Sequence, residues 1–134
     1  MSKNKATSEP EKVPVIRAET KFNILLGENT YLVEFGTNSF IRIKECRPEL
    51  PTAFDVMDEM LPYEAIPFLL DCAISPKNKD WTSYEQFLGL YDECEDVEAL
   101  AKVLPGYLSA IGVVSKKLQP ALAALAALQE KSAK

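Results

Sequence analysis

Lys21-Phe-Asn-Ile-Leu-Leu-Gly-Glu-Asn-Thr-Tyr-Leu-Val-Glu-Phe-Gly-Thr-Asn-Ser-Phe-Ile-Arg-Ile-Lys-Glu45 is the stretch on which the fold turns. Apolar residues alternate at Phe22, Ile24 and Leu26, and again at Tyr31, Val33 and Phe35. A period of two on both sides of Gly27-Glu28-Asn29 predicts a β-hairpin with one buried face, because successive strand side chains point to opposite sides. Phe22, Ile24, Tyr31, Val33 and Phe35 are the expected structural residues of that hairpin. A two-stranded hairpin is marginal in water by itself, so this face should pack on helices.

The flanking sequence supplies those helices. Gly36-Thr37-Asn38-Ser39 offers N-cap residues, predicting a short helix or turn over Asn38 to Cys46 that ends at Arg47-Pro48-Glu49-Leu50-Pro51. Thr52 reads as the N-cap of a helix from Ala53 to Leu61. Pro62 separates it from Tyr63 to Ile74, whose expected core face is Ile66, Leu69, Leu70 and Ala73. After the polar loop Ser75 to Asp80, Thr82 or Ser83 should cap a helix to about Glu93, with Glu85 or Gln86 within capping-box reach. Its apolar face would be Tyr84, Phe87, Leu88 and Tyr91. Asp96 should cap Val97 to Leu104, continued through Leu108 and Ile111, with an interruption at Leu104-Pro105-Gly106 and a C-cap at Gly112. Pro120 fits the first position of a last helix, Gln119 to Leu128.

These elements give a mainly α fold with a short N-terminal β-hairpin, a compact bundle of short helices. The expected organisation is a disordered N-terminal arm over residues 1–19, a hairpin plus helical domain over 20–114, and an Ala/Leu-rich C-terminal helix and tail over 115–134. The arm is rich in Lys, Glu, Ser and Pro, with Val13-Pro14-Val15-Ile16 as its one apolar island.

Composition limits function. The chain has 134 residues, 47% of them hydrophobic and 26% charged, enough for one domain with its own core. It contains no histidine. That removes Ser-His-Asp and Cys-His catalysis and His-ligated zinc, while Lys, Tyr, Cys and paired carboxylates remain. No phosphate-binding glycine loop, Cys-x-x-Cys or calcium loop is present, so no cofactor or metal is expected. Asp92-Glu93-Cys94-Glu95-Asp96 with Glu98 reads as a solvated helix junction. The net charge of −5 argues against general nucleic-acid binding. Cys46, Cys72 and Cys94 are widely spaced and odd in number, which fits reduced thiols in a cytoplasmic protein. No signal peptide or apolar run of membrane-spanning length is read, so no membrane is expected.

Charge is segregated along the chain. Residues 45–98 hold 14 acidic and 3 basic side chains, whereas residues 99–134 hold 5 basic and 1 acidic. Solvated helix faces account for this plainly; complementary surfaces favouring weak head-to-tail homo-oligomers or a basic partner are the sharper alternative. Trp81, the only tryptophan, is a core residue or an interface anchor. Leu118, Leu122, Leu125 and Leu128 form a narrow seam on a helix otherwise made of alanine. Such a helix is buried or awaits a partner, so these leucines and Trp81 are the candidate partner-binding residues.

The order Ile24-x-Leu26-Gly27, Tyr31-x-Val33-x-Phe35-Gly36-x-Asn38, followed by short acidic helices and an Ala/Leu-rich tail, resembles the tail assembly chaperones of long-tailed bacteriophages and prophages. The resemblance spans most of Lys21 to Ile111 and is one of pattern and size. It implies a non-catalytic protein of the host cell cytoplasm that binds the tape measure protein and tail tube subunits during morphogenesis and keeps them soluble. The proline breaks at Pro48, Pro51, Pro62 and Pro67 depart from it by shortening the helices. The competing expectation is a small acidic α-rich binding module, such as an immunity, antitoxin or inhibitor protein. An enzyme using carboxylates or tyrosine is the third.

Overall fold

A computed structural model describes residues 19–132 of the chain. The expected disordered arm, with its apolar island, lies outside the described residues except for Glu19. The fold is mainly helical with an N-terminal antiparallel hairpin, as the alternation and capping signals predict. β1 (Lys21–Leu26) pairs with β2 (Asn29–Glu34) in a register that sets Phe22 opposite Val33 and Ile24 opposite Tyr31. The two-residue turn needs a left-handed backbone at Gly27, with φ of 65°, which glycine adopts without steric cost. Phe22, Ile24, Leu26, Tyr31, Val33 and Phe35 all point inward and are buried.

Six helices follow among the described residues: α1 (Thr37–Cys46), α2 (Val56–Glu59), α3 (Pro62–Ala73), α4 (Tyr84–Asp92), α5 (Val97–Leu100) and α6 (Val103–Ser132). A 3-10 turn, Pro76–Asn78, links α3 to α4. α1 starts one residue earlier than expected. The Ser39 hydroxyl reaches back, accepting from the Gly36 amide at 2.9 Å and donating to its carbonyl at 2.7 Å. Thr52 does not cap a helix. Asp55 accepts from both the Thr52 amide and hydroxyl at 2.8 Å, tightening a turn that delays α2 to Val56. α3 is the central element, burying Ala65, Pro67, Phe68, Leu69, Leu70, Cys72 and Ala73, while Ile66 is only half-buried. Pro62 occupies its first turn, where the missing N–H costs nothing. At α4 the capping expectation holds for Ser83, which accepts from the Gln86 amide at 3.2 Å, while Gln86 accepts from the Thr82 amide at 2.7 Å. Phe87 alone of its four expected face residues is buried.

The largest differences concern α6. Pro105, Gly106, Gly112 and Pro120 were expected to divide it, yet it runs unbroken for 30 residues. Pro105 is its third residue, where the backbone N–H has no intrahelical acceptor to lose. Gly106 is a contact, not a break: a Cβ there would lie 2.8 Å from the Glu19 carbonyl oxygen and 3.2 Å from the Phe35 ring. Beyond Gly112 the helix runs on through Pro120, which lacks an N–H for the helical ladder, and the alanines that follow favour its continuation. The helix is also turned relative to expectation. Val103, Tyr107 and Ala110 face the core, while Leu108 is 56% exposed.

Candidate functional site: the overhanging face of the last helix

Of the described large apolar side chains left exposed, the densest set lies on α6: Leu108, Val113, Leu118, Leu122, Leu125 and Leu128. The N-terminal part of α6 is anchored by Tyr107, whose side chain is fully buried. Its ring meets Phe35 at 6.2 Å and Phe40 at 6.0 Å between centroids, both edge-on. Its hydroxyl donates to the Ala53 carbonyl at 2.7 Å and accepts from the Val56 amide at 3.3 Å. Burial raises this phenol to about 12 from its ordinary 10. These contacts hold α6 against the hairpin and α1.

From Lys116 through Glu130 every residue of α6 is exposed. Leu118, Leu122, Leu125 and Leu128 are 45, 57, 51 and 63% exposed. At three- and four-residue steps, the stripe Tyr107, Ala110, Val114 that faces the core runs on as Leu118, Ala121 and Leu125. The helix therefore carries its core-facing side past the edge of the globule. Where it leaves, an open groove of about 380 Å³ lies beside Val114, lined by Phe40, Ile41, Ala53 and Phe54 among others. The overhang begins about one turn beyond this groove, with Ser115, Lys116 and Lys117 between Val114 and Leu118. Lys116-Lys117 and Glu130 bracket the overhang. Among the sequence expectations for Leu118, Leu122, Leu125 and Leu128, the structure gives exposure in the chain alone rather than burial in its own domain.

Of the two places expected for Trp81, core or interface anchor, the structure gives the core. Trp81 is 8% exposed and is not available as an interface anchor in this conformation. Its indole donates to Asp71 at 2.9 Å, and its ring packs on Tyr31 at 5.2 Å and Phe87 at 5.1 Å. Lys79 pairs with the same Asp71 oxygen at 3.0 Å, and Tyr31 donates to Asp80. Burial first, then that bond to Asp80, raises the Tyr31 phenol above its ordinary value. Trp81 thus ties the α3–α4 connection to the hairpin. Phe22, Ile24, Tyr31, Val33 and Phe35 occupy the core as expected.

Asp96 also does more than cap α5. It accepts from the Ala99 amide at 3.2 Å and from the Leu25 amide at 3.0 Å, so the acidic junction closes the outer edge of β1. A second, more polar pocket of about 400 Å³ lies among Asn38, Ser39, Arg42, Lys77 and neighbours. The Arg42 Nε there donates to the Cys72 carbonyl at 2.7 Å, within the chain. Among the described residues no three His, Cys, Asp or Glu side chains converge to hold a metal. Tyr107 and the groove beside Val114 escaped the sequence reading. The signal that finds them is the Val103, Tyr107, Ala110, Val114, Leu118 spacing, which continues one stripe across the presumed breaks.

By length and composition the Val97–Glu130 stretch is apolar enough to cross a membrane. Lys116 and Lys117 divide it into uncharged runs over residues 103–115 and 118–129, each about 18–20 Å long as a helix, against about 30 Å of bilayer hydrocarbon. No family model, curated protein or solved structure matches the chain.

Proposed function

We propose that this chain is a non-catalytic tail assembly chaperone, holding the tape measure protein and tail tube subunits of a long-tailed phage in soluble form before tail assembly. The observation that carries the reading is the overhang of α6: four half-exposed leucines on one face, with an apolar groove at its base. An apolar helix face rigidly held at one end suits helix-in-groove capture of an amphipathic client segment. A client with long apolar helical stretches would be covered during assembly and released when a better partner arrives. The absence of histidine agrees with a binding role.

The test is coexpression with the tape measure protein encoded in the same genome region. The expected result is a soluble complex that copurifies and is lost on Leu122→Glu with Leu125→Glu. An insoluble client regardless of the chain would refute the proposal. A second reading, an acidic binding module that blocks a basic partner, is favoured by the −11 balance of residues 45–98. A neighbouring toxin gene whose product binds the chain tightly, and whose binding falls steeply with salt, would select it.

A further inference from the structure

We infer that the overhang of α6 pairs with the overhang of a second copy of the chain, antiparallel and about a two-fold axis, forming a reversible closed dimer. This goes beyond the chaperone reading and stands whatever the client is.

The argument starts from self-complementarity. A two-fold pair needs a surface that matches itself. Leu118, Leu122, Leu125 and Gln129 recur at steps of four, three and four, the spacing of a two-helix seam. With the axis between Ala123 and Ala124, Leu122 of each copy meets Leu125 of the other, and Leu118 meets Gln129. Ala121 and Ala126 flank that central layer on its two sides, about 70° from it by helix geometry. Alanine there lets two helix axes approach closely, toward the lower end of about 8–10 Å.

Direction follows from the charges. Antiparallel pairing sets Lys117 of one copy level with Glu130 of the other at both ends, with Lys116 level with Lys131, so the positive charge is split between two ends each holding a glutamate, and it opposes the two helix dipoles. Parallel pairing sets the two lysine pairs beside each other. The globules also lie at opposite ends of the antiparallel pair, so Leu122 and Leu125 of the two copies can meet without crowding.

Area sets the strength. The overhang from Ser115 to Glu130 is about 24 Å long, so a pair buries on the order of 1,000 Å² in total, near the lower limit for a specific interface. The dimer is therefore weak and exchanges readily. That suits a surface that must open for something else: self-pairing covers the leucines in the free chain, and any other occupant of that face competes with it. The segregated charges of the sequence alone would favour an open head-to-tail chain. The leucine stripe favours closure, because affinity comes from apolar contact and charge only selects direction.

The experiment is sedimentation equilibrium of the full chain over a wide concentration range at low and high salt. The expected result is a monomer–dimer equilibrium that changes little with salt. Leu122→Glu with Leu125→Glu should weaken association about tenfold or more by placing charge in the seam, with unchanged circular dichroism because both positions are exposed. Direction is read by disulfide trapping in a Cys46→Ser, Cys94→Ser background. Mixed Leu122→Cys and Leu125→Cys chains should cross-link to each other faster than either does to itself. A chain that stays monomeric at all concentrations overturns the proposal, as does mass growing beyond a dimer, a dimer untouched by the double substitution, or faster self-linking of each cysteine variant. A monomer that instead binds neutral phospholipid vesicles through the leucines would assign the face to lipid and overturn it equally. An unsubstituted chain that dimerises but captures no tape measure protein would count against the chaperone reading alone.

Discussion

The Tyr107 hydroxyl donates to the carbonyl of Ala53 at 2.7 Å, joining the last helix to the loop before α2 across 54 positions of sequence. The same oxygen accepts from the Val56 amide, so one phenol satisfies two backbone groups that would otherwise lose their partners on burial.

Tyr107→Phe removes both bonds while keeping the ring. It should destabilise the protein by about 1–3 kcal/mol, since a buried amide is left without a partner. The pH dependence carries a separate signature. Burial holds this phenol at about 12 in the folded chain, above its ordinary 10. A group whose folded value is raised contributes its stability fully below the unfolded value and loses it as pH rises through the folded one. Stability should therefore fall between about pH 10 and pH 12, by about 1.4 kcal/mol per pH unit for one such phenol. Urea unfolding across that range should show a shallower fall in the Phe variant. Equal slopes would mean that Tyr107 is not the titrating group.

Phe35→Ala tests whether the hairpin supports the core. Phe35 is 4% exposed and touches the rings of Phe22 and Tyr107. Truncation should cost about 3–5 kcal/mol. An unchanged urea midpoint would show that the hairpin is not part of the cooperative unit.

Two glycines of one helix should respond with opposite signs. Gly106→Ala forces a Cβ to within 2.8 Å of the Glu19 carbonyl, a backbone atom that cannot rotate away, and should lower the melting temperature. Gly112→Ala meets nothing within 4 Å and should stabilise by about 0.5–1 kcal/mol through helix propensity. Stabilisation by both would mean that α6 does not lie against the strand entry as described.

The three thiols should be distinguishable by a thiol reagent. Cys46 is exposed, Cys94 is half-buried and Cys72 is buried. Burial pushes the Cys72 thiol far above its ordinary value, with Cys46 adding in the same direction. Cys46 should react at once, and Cys72 only at the rate of unfolding, because the thiolate is the reactive form. Rapid reaction of all three in the folded chain would contradict the burial of α3.

How much of this was legible depended on how local the deciding forces were. The hairpin was readable because alternation, a glycine turn and one buried face are consecutive in sequence. So was the Ser83 cap, whose acceptor and donor are three residues apart. The candidate interaction face was half legible: the leucine seam was plain, but not whether its own domain would cover it. Trp81 was equally open in sequence, and only the approach of Tyr31, Phe87 and Asp71 buries it.

The sequence by itself determined the hairpin, its inward residues, the mainly helical character and the leucine stripe, because strand alternation and helix propensity act between near neighbours. Tertiary structure alone decided the rotation and continuity of α6. Pro105, Gly106 and Gly112 read as breaks when only the chain on either side is considered. They are accommodated because Pro105 falls in the first turn, Gly106 meets the entry to β1, and Tyr107 finds its hydrogen-bond partners in the loop before α2. Those contacts span dozens of residues and fix which stripe of α6 faces inward. Once that stripe is fixed, the same helix carries it past the edge of the core, where none of the described residues covers it and the leucines remain exposed.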